Sequence, residues 1–129
     1  MDFTEYQSRA YRNIQSHDSK KDELLNWCVG LCEEVGDSMN VVKHHVGPGE
    51  DINEDKIAKE LGDVLWYVAA IASNLNLNLG IIARLNIEKL EHRYQQKFSK
   101  ENSDKRHELE KKFNETEDYK ILMKNIHLK

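Results

Sequence analysis

Between positions 22 and 46 apolar side chains recur at steps of three and four: Leu24, Cys28, Leu31, Val35, Met39, Val42 and Val46, with no proline among them. That period commits the segment to one long amphipathic helix. The pattern stops at residues 47–53, a strong breaker cluster that holds Pro48, the single proline of the chain. Asn53 is placed to cap a second long helix, with Glu54 and Asp55 in its positive first turn. That helix runs through Ile57, Leu61, Val64, Val68, Ile71 and Leu75. One proline and six glycines in 129 residues leave little to make turns, so the chain reads as all-α.

Two further helices complete a four-helix body. Thr4 and Gln7 fit a capping box for a first helix over 4–16, and a polar connection leads on to the second. The alternating NLNLNLG, over 74–80, reads as a helix end followed by a cap at Asn78, because no neighbouring segment offers it a strand partner. A fourth helix then spans 79–97. Beyond it the composition turns to charge, and residues 121–128 turn apolar again. The expected organisation is a helical domain over 1–98 and an exposed, helical C-terminal extension over 99–129 whose end docks on the body or on another subunit.

The formal charge is −4 and the pI about 5.9, which excludes nucleic-acid binding that relies on net positive charge. No apolar run approaches the ~18 residues that span a bilayer, and the first residues show no apolar core of a secretory signal. Cys28 and Cys32, one turn apart, read as small core residues in a reducing compartment, so the expected location is cytoplasmic.

Acids break the rule that a buried helix keeps its charges away from the core. Successive residues turn about 100° around a helix. Glu34 and Asp37 therefore share a stripe with Trp27, Gly30 and Val41, beside the stripe of Leu24, Leu31, Val35 and Val42 expected to form the core. Glu33 stands farther round, one turn from Asp37. Glu60 and Asp63 share a stripe with Lys56, Tyr67 and Asn74. If the two helices pack side by side, four carboxylates converge. Buried like charges must protonate or acquire a cation, and an all-oxygen set suits a hard divalent ion, Mg²⁺ or Mn²⁺, better than zinc. On the fourth helix Asn86, Lys89 and Arg93 lie on one narrow face between apolar flanks. Acids with a metal, together with Lys and Arg, are how a site handles polyphosphate.

The order of these motifs resembles the MazG family of all-α nucleoside triphosphate pyrophosphohydrolases. That family carries E-E-x-x-E followed by E-x-x-D, matched here by Glu33, Glu34 and Asp37, then Glu60 and Asp63. ELGDVLWYVA, NIEKLEHRY and the early EYQ are also similar to it, over about residues 4–98; Asp37 stands where the family usually has Glu. The resemblance implies a four-helix MazG-like bundle that hydrolyses a nucleoside triphosphate between the α- and β-phosphates, releasing the monophosphate and pyrophosphate. It implies Glu34, Asp37, Glu60 and Asp63 as Mg²⁺ ligands and Glu33 as the group that orients or deprotonates the attacking water. It implies Tyr67, Asn86, Lys89 and Arg93 as substrate contacts, and a homodimer or dimer of dimers as the assembly. Trp66 and residues 121–128 would otherwise stand in water, which points to the same assembly.

Rival classes lack their own signatures. There are no Glu-x-x-His pairs for a di-iron bundle, the order of histidines is wrong for an HD phosphohydrolase, and no P-loop is present. A non-catalytic, nucleotide-sensing helical oligomer is the alternative from another class.

Overall fold

The computed structural model describes residues 1–14, 19–94 and 98–129 and is all-helical, with seven helices among the described residues. They are α1 (Phe3–Tyr11), α2 (Lys20–Val46), α3 (Glu54–Asn74), α4 (Leu79–Tyr94), α5 (Lys100–Asp104), α6 (Arg106–Asn114) and α7 (Glu117–Lys124). None is long and apolar enough to cross a membrane. The chain forms two compact units, one of Glu5–Leu75 and one of Met1–Thr4 with Asn76–Lys129.

The first unit is built on an antiparallel hairpin of α2 and α3. Asn53 caps α3 as its sequence implies, its Oδ1 accepting from Lys56 N at 2.9 Å. Ser19 does the same for α2. Facing residues fix the register. Asn74 Nδ2 donates to Glu23 Oε2 and to the Lys20 carbonyl, both at 3.1 Å. Tyr67 lies against Gly30, and Asp37 and Glu60 meet. Each step along α2 is matched by an equal step back along α3.

This register puts the seam on the stripe Glu23, Trp27, Gly30, Glu34, Asp37 and Val41, not on the more apolar stripe expected from sequence. Trp27, Gly30 and Val41 are buried, whereas Val35 is 46% exposed and Met39 60%. On α3 the buried residues are Ala69, Ala70 and Ala72, while Leu61 is 56% exposed. Size complementarity explains the choice: glycine and alanine on the seam let the bulky rings sit between the helices. Trp66 is half-buried and edge-on to both Trp27 (5.6 Å between centroids) and Tyr67 (5.1 Å). Such pairs contribute about 0.5–1.5 kcal/mol each beyond their buried area. Trp66 therefore has partners within its own unit and does not stand in water. Cys28 and Cys32, expected in the core, are exposed.

The first helix is α1, which ends at Tyr11; the rest of the expected 4–16 span includes residues 15–16, outside the described ones. It begins at Phe3, ahead of the Thr4 cap expected from sequence. Gln7 is buried and donates from Nε2 to Ser73 Oγ at 3.2 Å, and Ser73 in turn donates to the Ala69 carbonyl. The glutamine serves α1–α3 packing.

In the second unit Asn78 caps α4 as expected, Oδ1 accepting from Ile81 N at 3.1 Å. The end of α4 expected at position 97 lies outside the described residues. The NLNLNLG segment does find a partner: Asn78 N donates to the Ile126 carbonyl (2.7 Å), Leu128 N donates to the Asn76 carbonyl (3.0 Å), and Leu77 and His127 form an isolated antiparallel bridge. The partner comes from the far end of the chain, too distant in sequence for local reasoning to supply. The extension is therefore no exposed arm. Phe113 on α6 and Leu122 on α7 are each only 4% exposed, and its three helices share one compact unit with α4.

Candidate metal centre

Towards the 47–53 connection of the α2–α3 hairpin the seam changes from rings and small residues to carboxylates. Glu34 and Glu60 are half-buried and Asp37 is exposed. Each offers an oxygen within 4.8 Å of the other two. Asp63, one turn along α3 from Glu60, lies outside that group of three but close to Glu34. Its charge is the largest of the four that bear on the Glu34 carboxyl. Glu33 is exposed and contributes least. The structure thus brings together three of the four carboxylates expected to converge, with the fourth alongside and Glu33 at the edge.

No lysine or arginine pairs with any of these five acids among the described residues. Six other acids, Glu5, Glu88, Glu101, Glu108, Glu110 and Glu117, each hold a basic partner. Burial, followed by the charges of Asp63, Asp37, Glu60 and Glu33, pushes the Glu34 carboxyl above its ordinary value of 4.5. The donor set fits a hard divalent cation. It is all oxygen, spaced for several ligands on one ion, and carries negative charge that no basic residue among the described ones pairs with.

A carboxyl whose pKa is raised on folding binds its proton more tightly folded than unfolded. Its penalty is absent below about 4.5 and grows as pH rises through the folded pKa. In metal-free protein, Glu34→Gln is therefore expected to gain melting temperature over wild type progressively from pH 4.5 to pH 7. Parallel melting profiles across that interval would contradict the cluster electrostatics.

One neighbour escaped sequence reasoning. Tyr6 on α1 has its phenol pushed up, first by burial and then by the charge of Asp63. The early EYQ entered the sequence reading only as part of the family resemblance, with no role for Tyr6. Tyr67, expected as a substrate contact, lays its ring over Gly30 in the aromatic cluster next to the acids. Asn86, Lys89 and Arg93 belong to the other unit. There Asn86 is exposed, Lys89 half-buried without an ion pair among the described residues, and Arg93 is paired with Glu110.

A long α-helical hairpin with unneutralised carboxylates on its packing seam defines a class: all-α proteins that gather acids from two facing helices around a cation. The chain belongs to the MazG nucleotide pyrophosphohydrolase domain family, which matches residues 15–98. It is also similar to the Gene 37 protein of Mycobacterium phage L5, with 36% identity over 69 residues, 50% of this chain and 60% of the phage protein. The chain thus spans about 60% of that relative's length. No solved structure matches.

Proposed function

We propose that the protein is a Mg²⁺-dependent nucleoside triphosphate pyrophosphohydrolase that cleaves (d)NTP between the α- and β-phosphates to (d)NMP and pyrophosphate, Mn²⁺ substituting. The observation that carries this reading is the seam cluster of Glu34, Asp37 and Glu60, with Asp63 beside it, gathered from two facing helices with no basic partner among the described residues. These four residues would hold the ion. A divalent ion bound there would neutralise phosphate oxygens and lower the pKa of water. Glu33, exposed at the rim, accepts the proton of the attacking water. Lys89 and Arg93 take charge on the leaving pyrophosphate, and Tyr67 and Asn86 contact the substrate. Such an enzyme would act on nucleotide pools in the cytoplasm.

The protein is proposed to assemble as a homodimer or dimer of dimers. Support comes from α2, where Leu25, Val29, Val35, Met39 and Val46 form one stripe of exposed apolar side chains. Light scattering at micromolar concentration checks this, and a monomer would contradict it.

The test of activity is pyrophosphate release from a panel of ribo- and deoxynucleoside triphosphates with Mg²⁺. Release from at least one member, lost on chelation with EDTA, is expected. Binding of nucleotide without pyrophosphate release across the panel would favour the sensor reading instead.

A further inference from the structure

The C-terminal extension meets α4 at Arg93, among other residues. Asn102 on α5 donates from Nδ2 to the Arg93 carbonyl at 2.6 Å, and Glu110 on α6 approaches Arg93 Nη2 at 3.7 Å. This ion pair is unlike the others. Five pairs on more exposed surfaces close at 2.7–2.8 Å. Arg93 is only 13% exposed, and its pair stays well outside the 2.7–2.9 Å or so of a charge-assisted hydrogen bond. Its Nε is buried with no hydrogen-bond partner among the described residues.

A guanidinium has five donors, and leaving them unmet away from water is unfavourable. The surroundings are also rich in cations. Lys89, one turn back on α4, has no ion pair among the described residues. Hydrogen bonds from Arg93 and Ser103, and the charges of Arg93 and Arg106, hold the Tyr94 phenol below its ordinary range. Among the described residues Glu110 is the one carboxylate paired with Arg93, and it meets that arginine poorly.

We propose that Glu110 is a placeholder: the extension occupies Arg93 with a carboxylate that a polyphosphate chain displaces, and so sets the affinity for substrate by competing for this one guanidinium. The inference rests on the reading of Arg93 as a phosphate-holding residue. A triphosphate offers several oxygens for bidentate contact, where Glu110 makes a single long one. Glu110 is 42% exposed, so it can leave for solvent while Arg93 stays in place.

Inorganic tripolyphosphate with Mg²⁺, titrated calorimetrically, reads this without any turnover. Glu110→Gln keeps the shape of α6 and removes the competing charge. It is expected to bind tripolyphosphate about two- to five-fold more tightly than wild type, the range set by an exposed ion pair. On an Arg93→Gln background the same change should have no effect, the two proteins binding equally weakly or not at all. Equal or weaker binding by Glu110→Gln overturns the proposal. So does a gain that persists on the Arg93→Gln background, because it would then be a general charge effect. Wild type that fails to bind tripolyphosphate overturns it as well. A chain that releases no pyrophosphate from any nucleotide but shows the Arg93-dependent gain would refute the enzymatic reading and leave this one standing. The converse result would remove this inference alone.

Discussion

Glu60→Gln is expected to lower pyrophosphate release at least about 100-fold while leaving the melting temperature of the metal-free protein unchanged or higher. The two halves have one cause. Glu60 is half-buried on the seam within 4.8 Å of the Glu34 and Asp37 oxygens, and no basic group among the described residues pairs with it. Removing its charge relieves repulsion in the empty site, which favours the folded state. The same removal takes away a ligand. Groups that only support metal ligands commonly cost 10–100-fold when lost, so a ligand should cost at least the upper end of about that range. Steady-state release of pyrophosphate and thermal unfolding in EDTA check both halves on one preparation. A variant that retains most of its activity would remove Glu60 from the metal set. A variant that loses its fold would make the acids structural.

Gly30→Ala is expected to destabilise the protein by about 1–3 kcal/mol and to lower activity as well. A Cβ on Gly30 would clash with the Cε1, Cζ and Oη edge of the Tyr67 ring, closer than real Cβ contacts come. Tyr67 has no easy retreat, because Trp27 and Trp66 pack on it at 6.3 and 5.1 Å between centroids. Alanine favours the helical state over glycine by up to about 1 kcal/mol, which offsets part of the loss. The clash prevails because it is with a ring on a packed seam, not with a flexible tip. Moving Tyr67 also disturbs α3 one turn from Asp63, hence the lost activity. Gly36 provides the control. It lies on the same helix with nothing within 4 Å of its built Cβ, so Gly36→Ala should be neutral or slightly stabilising. Denaturant unfolding of the two variants separates packing from propensity, and equal effects at positions 30 and 36 would contradict the seam.

The period of the long helices was legible in the sequence, but their phase was not. Leu24, Leu31, Val35 and Val42 form the more apolar stripe of α2, and hydrophobic patterning alone selects it. The hairpin instead packs on Trp27, Gly30 and Val41, where one large ring and two smaller residues fit what α3 offers. The acids looked as though they bordered the core, whereas Glu34 lies on the seam itself. Functional sites are where local rules of patterning are expected to fail. The spacing of Glu34, Asp37, Glu60 and Asp63 carried the candidate site, because a helical period converts spacing directly into a shared face. What spacing could not supply was anything set by distant packing: Tyr6 beside Asp63, Glu110 against Arg93, and the chain end bridging to Leu77. The charged extension looked solvated because its core-forming residues, Phe113 and Leu122, are few and widely spaced.

The central claim is that the carboxylates of the α2–α3 seam form a cation site. Electron paramagnetic resonance of Mn²⁺ in solution tests it most directly, since the free ion gives a sharp signal that is lost on binding. Wild type is expected to quench the signal saturably, and Glu34→Gln and Glu60→Gln to quench it far less. Glu117→Gln, which removes an acid paired with Lys120 on the surface, should behave as wild type. Equal quenching by all four proteins would contradict the claim, because the ion would then be reporting only the general negative charge of the chain.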